Sequence, residues 1–153
     1  MESEDITHNR RPETTPLGEA LVTAMTEAGS RDFCHYPEGV NQVQVALSES
    51  LLVTVLRNLL ENAMRHGTQG APIAISVQEA KGMVVINITN QGEAISSERL
   101  TRLTERFHRG KHPQGSGLGL SIVDAIVTRI GGHMELASGN GVGLRVMLQL
   151  PLG

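Results

Sequence analysis

The sequence is poor in aromatic side chains and contains no tryptophan among its 153 residues. Proteins that bind single-stranded nucleic acid commonly stack bases on aromatic rings, but here the aromatic residues are only Phe33, Tyr36 and Phe107. Binding to the phosphate backbone would require clustered lysine and arginine. The chain instead has a formal net charge of −3 and no basic cluster. We therefore expect no nucleic-acid partner.

Cysteine is equally scarce, since Cys34 is the single cysteine of the chain. No internal disulfide can form, which favours a reducing compartment. The sequence also lacks an apolar run of transmembrane length and a segment typical of a signal peptide. These features predict a cytoplasmic domain.

Hydrophobic periodicity divides the chain into a polar tail and one domain. Residues 1–15 have no period and are predicted to be a disordered tail or linker remnant, as expected for a piece of a longer protein. Residues 16–153 are numerous enough to form their own core. Helical spacing occurs at 17–28, 48–66, 97–104 and 116–130, and strand alternation at 32–36, 42–47, 73–77, 84–88, 134–137 and 144–150. This order predicts a two-layer α/β sandwich, in which about three helices pack on one face of a mixed β-sheet.

The helix predicted between Ser48 and Gly67 carries an unusual polar face. Asn58 and Asn62 are four residues apart, and Arg65 and His66 lie within about a quarter of the circumference from them. Asparagine costs a helix about half a kcal/mol relative to alanine, so two in mid-helix suggest a functional role. For this helix considered alone, a solvated polar face is the simpler explanation.

Two further segments combine polar or glycine-rich sequence with the end of a predicted element. Asn90-Gln-Gly92 follows a strand, where glycine allows the backbone to turn closely around a ligand. Gly115-Ser-Gly-Leu-Gly-Leu120 precedes a long helix, and free N–H groups at a helix N-terminus suit phosphate. Its spacing matches neither the dinucleotide fingerprint nor the P-loop. Each segment alone is also compatible with an ordinary turn or loop.

Together and in this order, the segments resemble the ATP-binding domain of sensor histidine kinases, which has the Bergerat fold and belongs to a wider family with DNA gyrase. The resemblance spans about residues 16–153. The matching segments are Asn58–His66 (N box), Asn90–Ile95 (G1 box), Glu105–Arg109 (F box), Gly115–Leu120 (G2 box) and the closing strand Gly143–Pro151.

The resemblance implies a site for ATP and Mg²⁺. Asn62 would offer its side-chain oxygen to Mg²⁺, Asn58 would line the same phosphate pocket, and Arg65 would contact the phosphates, so these three form the implied catalytic set. His66 would lie near the ribose or phosphates, and residues 108–116 would form a lid. The other implied nucleotide-binding residues are Asn90, Gly92, Ile95, Phe107, Arg109, Gly115, Ser116, Gly117, Leu118, Gly119 and Leu120, with Ile95 and Leu120 beside the adenine.

Two positions distinguish this chain within the family. The G1 box usually opens with Asp, and Asn90 can accept the same hydrogen bond from adenine without charge assistance, at a loss of about 1 kcal/mol. This predicts weaker nucleotide binding. ATP-hydrolysing members and anti-sigma serine kinases have a glutamate base at position 58, whereas Asn58 cannot accept a proton at neutral pH.

The histidine that accepts phosphate in such kinases has no equivalent here; His8 lacks the flanking pattern. The resemblance therefore implies a catalytic domain that presents the γ-phosphate of ATP to a histidine on a separate dimerisation domain of the same kinase. A response regulator would act downstream. The parent is expected in the bacterial inner membrane, and the isolated domain is expected to be a monomer that does not phosphorylate itself. The alternatives are an anti-sigma-type serine kinase and a non-enzymatic nucleotide sensor.

Overall fold

The computed structural model describes residues 13–109, 118–139 and 142–153. The described part contains four α-helices, which correspond to the four ranges of helical spacing in the sequence, and seven strands. The helices are α1 (Leu17–Ala28), α2 (Glu49–His66), α3 (Ser97–Arg109) and α4 (Leu118–Arg129). The strands are β1 (Thr15–Pro16), β2 (Cys34–His35), β3 (Gln44–Val45), β4 (Ile73–Ala80), β5 (Met83–Gln91), β6 (His133–Gly139) and β7 (Val142–Pro151).

Five of the strands form one mixed sheet in the order β2-β4-β5-β7-β6. The pair β2–β4 is parallel and the other three pairs are antiparallel. Strands β1 and β3 form a separate antiparallel pair. α2 packs against α1, α4 and the central strands, and this arrangement gives the predicted layer of helices on a mixed sheet.

The core lies between the sheet and α2. Alternate residues of β5 and β7 are buried, as the period of two predicts: Val84, Ile86, Ile88, Leu144, Val146, Leu148 and Leu150. The buried stripe of α2 includes Leu52, Val55, Leu56 and Leu59. Lys81 and Gly82 join β4 to β5 with positive φ angles of 55° and 79°, as in a two-residue hairpin turn.

The ends of several elements differ from the sequence prediction. The strands predicted at 32–36 and 42–47 are only two residues long, and the helix predicted to end at residue 104 continues to Arg109. Residues 108 and 109 of the predicted lid therefore belong to α3, and residues 110–116 lie outside the described part. Within the described residues, no helix combines the length and apolar character needed to cross a membrane.

Candidate functional site

The last turn of α2, the end of β5 and the start of β7 meet at the side chain of Asn90, which is only 2% exposed. Its Nδ2 donates to the carbonyl oxygen of Ala63 at 3.1 Å, and its Oδ1 accepts from the backbone N–H of Leu144 at 3.0 Å. Because one partner is an acceptor and the other a donor, these bonds determine which end of the amide is oxygen. The predicted asparagine helix and strand terminus are therefore in direct contact.

Strand β7 has a bulge at this place. On each side of β7, one residue of the neighbouring strand faces two residues of β7, Gly143 and Leu144. The pairs that bound this irregularity are Thr89–Arg145 and Gln91–Val142 on the β5 side, and Ala137–Arg145 and Gly139–Val142 on the β6 side. A bulge leaves backbone groups without ladder partners. Here Asn90 binds the N–H of Leu144, and the hydroxyl of Ser138 donates to the carbonyl oxygen of Gly143 at 2.6 Å.

Two glycines leave the space that the Asn90 side chain occupies. A Cβ on Gly67, just after α2, would lie 2.9 Å from the oxygen of Ala63 and 3.0 Å from Cβ of Asn90. A Cβ on Gly143 would collide with Oδ1 of Asn90 and lie 3.1 Å from the oxygen of His66. Any larger residue at either position would displace the amide or the backbone.

The loop after β5 is attached to the same bulge. The backbone N–H of Ile95 donates to Oγ of Ser138 at 2.8 Å, and the Ile95 side chain packs against the core. Gly92 is half-buried, and a Cβ there would lie 3.3 Å from the backbone nitrogen of Thr68. Ser138 and Gly143 thus connect the loop at Ile95 to the Asn90 side chain.

Asn62 has an incompletely satisfied side chain. It is 5% exposed, and its Nδ2 is buried with no hydrogen-bond partner in the described part of the chain. A buried polar group without a partner costs about 1–3 kcal/mol, so a ligand that satisfies this amide would be favoured. One turn earlier, the half-buried Asn58 donates from Nδ2 to the carbonyl oxygen of Thr54 at 2.7 Å, which holds its amide against the helix.

Positive charge surrounds the end of α2. Arg65 is exposed and His66 is half-buried. Burial lowers the pKa of His66, and the charges of Arg65 and of Arg99 in α3 lower it further. His66 is therefore neutral at pH 7, and an anion bound here would meet two guanidinium groups.

The start of α4 completes the described part of the site. α4 packs against α2, and its Leu120 is buried in the core. Leu118 and Gly119 form the first turn of α4, and Phe107 and Arg109 lie in α3; the side chains of Leu118, Phe107 and Arg109 are outside the described atoms. Gly115, Ser116 and Gly117 lie outside the described residues.

Sequence reasoning did not identify four residues that shape this site: Gly67, Ser138, Gly143 and Arg99. From the sequence, Gly67 is only the limit of the predicted helix and Gly143 only the first residue of the closing strand. Two buried neighbours, Gly143 and Leu144, interrupt the alternation of β7, but glycine in a strand was the one visible signal of a bulge.

The sequence of residues 47–153 matches the family described as histidine kinase-, DNA gyrase B-, and HSP90-like ATPase. The chain belongs to this family of ATPases, whose nucleotide is ATP. The site formed by α2, β5 and β7 lies entirely within the matched residues.

The curated relatives include sensor histidine kinases. The sensor-like histidine kinase SenX3 of Mycobacterium tuberculosis is 31% identical over 142 residues, which are 90% of this chain and 35% of the relative. The sensor histidine kinase CusS of Escherichia coli O157:H7 is 35% identical over 116 residues, which are 72% of this chain and 24% of the relative. The chain thus spans about a third or less of the length of these relatives.

Solved structures show the same fold. The mycobacterial sensor histidine kinase MprB superposes with a TM-score of 0.72 at 24% identity. The superposition covers 93% of this chain and 98% of the MprB chain. The catalytic domain of histidine kinase ThkA superposes with a TM-score of 0.74 at 21% identity. The superposition covers 91% of this chain and 96% of the ThkA chain. These similarities support the α/β Bergerat fold predicted from the sequence.

Proposed function

We propose that this chain binds Mg·ATP and, within a longer sensor kinase, presents the γ-phosphate to a histidine on a separate dimerisation domain. The observation that carries the proposal is the buried, unpartnered Nδ2 of Asn62, which lies in the last turns of α2 close to the guanidinium groups of Arg65 and Arg99. A folded protein rarely keeps such a group without a use for it. A phosphate oxygen at this point would accept a hydrogen bond from Nδ2 and so give it a partner.

Asn62 is the residue proposed to hold Mg²⁺, through its side-chain oxygen. Amide oxygen is a hard ligand of the kind that Mg²⁺ accepts alongside phosphate and water, so the donor present fits the ion. When bound, Mg²⁺ neutralises charge on the phosphate oxygens. Arg65 is exposed on the last turn of α2 and is proposed to contact the phosphates as a charged donor.

The purine end of the nucleotide is proposed to lie against Asn90, Ile95 and Leu120. Oδ1 of Asn90 accepts one hydrogen bond from Leu144, and an amide oxygen has a second lone pair for the amino group of adenine. Ile95 and Leu120 are proposed to supply apolar surface to the purine. Gly92 lets the loop follow the ligand closely.

The chain contributes placement and charge, with no covalent step of its own. Asn58 stands where a general base would be needed to activate water or serine, and an amide cannot take a proton at neutral pH. Nδ2 of Asn58 also donates a hydrogen bond to the backbone carbonyl oxygen of Thr54. The site therefore suits ATP that is kept intact until another domain supplies the nucleophile.

The proposed partners follow from this role. They are a dimerisation and phosphotransfer domain in the same protein and, downstream, the receiver domain of a response regulator. The parent protein is proposed to be anchored in the bacterial inner membrane, with this domain in the cytoplasm. The 153-residue chain alone is proposed to bind nucleotide as a monomer without phosphorylating itself.

Calorimetry with a non-hydrolysable ATP analogue and Mg²⁺ tests the site. Asn62→Ala is expected to abolish measurable binding, whereas its free energy of unfolding should stay the same or rise by about 1 kcal/mol, since a buried unpartnered amide is removed. Asn87→Ala is the matched control, because Asn87 lies in β5 on the face opposite to Asn90. This variant should bind the ATP analogue normally. Unchanged affinity in Asn62→Ala would refute the assignment.

A second measurement tests the phosphotransfer. The chain is mixed with labelled ATP and the dimerisation domain of its own kinase, and acid-labile phosphohistidine is measured. Label should appear on the dimerisation domain and be absent when Asn62→Ala is used. Tight nucleotide binding without phosphohistidine under these conditions would instead identify a nucleotide sensor.

A further inference from the structure

We propose that Ser138 is a positioning residue of the nucleotide site, which sets the place of both Ile95 and the bulge of β7. The inference rests on the proposed function, because it concerns the purine end of the same site. Ser138 lies in β6 and belongs to none of the four sequence boxes.

The hydroxyl of Ser138 uses both its donor and its acceptor capacity. Its single proton is directed to the carbonyl oxygen of Gly143 at 2.6 Å, with that of Val142 at 3.2 Å as a weaker second acceptor. Its oxygen accepts the backbone N–H of Ile95 at 2.8 Å. One hydroxyl thus joins the loop after β5 to strand β7, two segments that no strand ladder connects at this point.

The contact reaches Asn90 through Gly143. Gly143 lies directly between Ser138 and Asn90, and a single added methyl on it would overlap Oδ1 of Asn90. The next residue, Leu144, donates its backbone N–H to that same oxygen. A shift of the bulge after loss of the Ser138 hydroxyl would therefore move the acceptor that is proposed to bind adenine.

The bulge makes Ser138 necessary in a way that a regular strand residue would not be. In an unbroken ladder, β6 would satisfy Gly143 through its own backbone. The irregularity between Ala137 and Gly139 removes that pairing, and a side chain takes its place. Without the hydroxyl, a half-buried N–H and a carbonyl group would both lose their partners.

The test compares three variants with the unaltered chain by calorimetry with Mg²⁺ and a non-hydrolysable ATP analogue. Ser138→Ala should weaken binding by roughly tenfold, the loss expected for one or two neutral hydrogen bonds. Ser138→Thr keeps the hydroxyl and should restore affinity to within about twofold. Thr101→Ala is the matched control, since it removes a hydroxyl that donates to a carbonyl at 2.8 Å in α3 with no link to the bulge.

Two readouts separate positioning from a general loss of stability. The amide resonance of Ile95 in a nitrogen–proton correlation spectrum should move in Ser138→Ala and return in Ser138→Thr. Affinity is measured about 20 °C below the unfolding midpoint of every variant. This margin is several times the change in midpoint that one mutation causes, so every variant is folded during the measurement. If the unaltered chain binds and Ser138→Ala binds equally well, the inference is wrong. If the unaltered chain does not bind, the proposed function itself fails.

Discussion

At the scale of single residues, Asn90 does more than replace a carboxylate. The sequence alone predicts that Asn90 is a weaker acceptor for adenine than aspartate. In the structure the amide also donates to Ala63 while it accepts from Leu144, and a carboxylate could make only the second of these bonds. These two hydrogen bonds form only because the fold brings the carbonyl oxygen of Ala63 and the N–H of Leu144 to opposite sides of one amide. The two groups are far apart in sequence, so the identity of residue 90 alone could not reveal the bonds.

His66 gives the protein an acid-sensitive point. Its folded pKa is lowered, mainly by burial, so the unfolded chain binds the proton more readily. Its stabilising contribution is complete above the unfolded pKa of about 6.5 and is lost as the pH falls through the lower folded pKa. We expect His66→Gln to lose less stability than the unaltered chain between pH 7.5 and pH 5.

The size of this difference is limited because His66 is only half-buried. It should be a fraction of the roughly 1.4 kcal/mol that one pKa unit represents. Urea denaturation at several pH values measures it, and His35→Gln serves as the control because that histidine is exposed. Parallel pH profiles for the unaltered chain and His66→Gln would contradict the prediction.

At the scale of elements, the strength of a pattern decided how well it could be predicted. The 18-residue helix α2 fills the interval predicted between Ser48 and Gly67, because its apolar stripe is continuous and Ser48 caps its first turn. Strands of two residues such as β2 carry too few side chains for any period, so their ends were misplaced. The bulge of β7 depends on how three strands pair, and a single strand's sequence does not encode that pairing.

The bulge also explains why residue 143 has to be glycine. Gly143→Ala is expected to push Oδ1 of Asn90 out of place, weaken Mg·ATP binding by at least tenfold and destabilise the fold by about 1–3 kcal/mol. Calorimetry and urea denaturation measure the two effects. Val142→Ala, at the neighbouring residue, is the control. If Gly143→Ala binds Mg·ATP and resists urea as well as the unaltered chain, the bulge is less constrained than its geometry indicates.

At the scale of the whole molecule, the order of elements was sufficient to predict a two-layer fold, and the sheet order then places three distant segments at one site. The N-terminal limit of the domain is less evident from sequence. Thr15, assigned to the tail, is buried, pairs with Val45 and donates from Oγ1 to the carbonyl oxygen of Leu47 at 2.8 Å. A polar residue in a polar stretch gives no sign of burial.

Thr15→Val tests whether this short strand belongs to the folded unit. The change keeps the shape of the side chain but leaves the carbonyl of Leu47 without its donor, so we expect a loss of about 1–2 kcal/mol in the free energy of unfolding. Nucleotide affinity should be unchanged, because β1 pairs with β3 and packs against α1, and neither element contributes a residue to the site. Thr23→Val, in the exposed part of α1, is the control. Equal stability of the two variants would place Thr15 outside the cooperative unit.

The short edge strand β2 has a consequence for how copies of this domain behave towards one another. β2 covers only the beginning of β4, opposite Ile73 and Ala74, so within the described residues the remainder of β4 has no strand on that side. An uncovered edge can recruit another chain and start aggregation. Here the exposed Gln78 and Glu79 occupy that stretch, and the segment 37–43 lies next to it. Polar side chains and an adjoining loop thus disfavour strand pairing between copies of the chain at this edge.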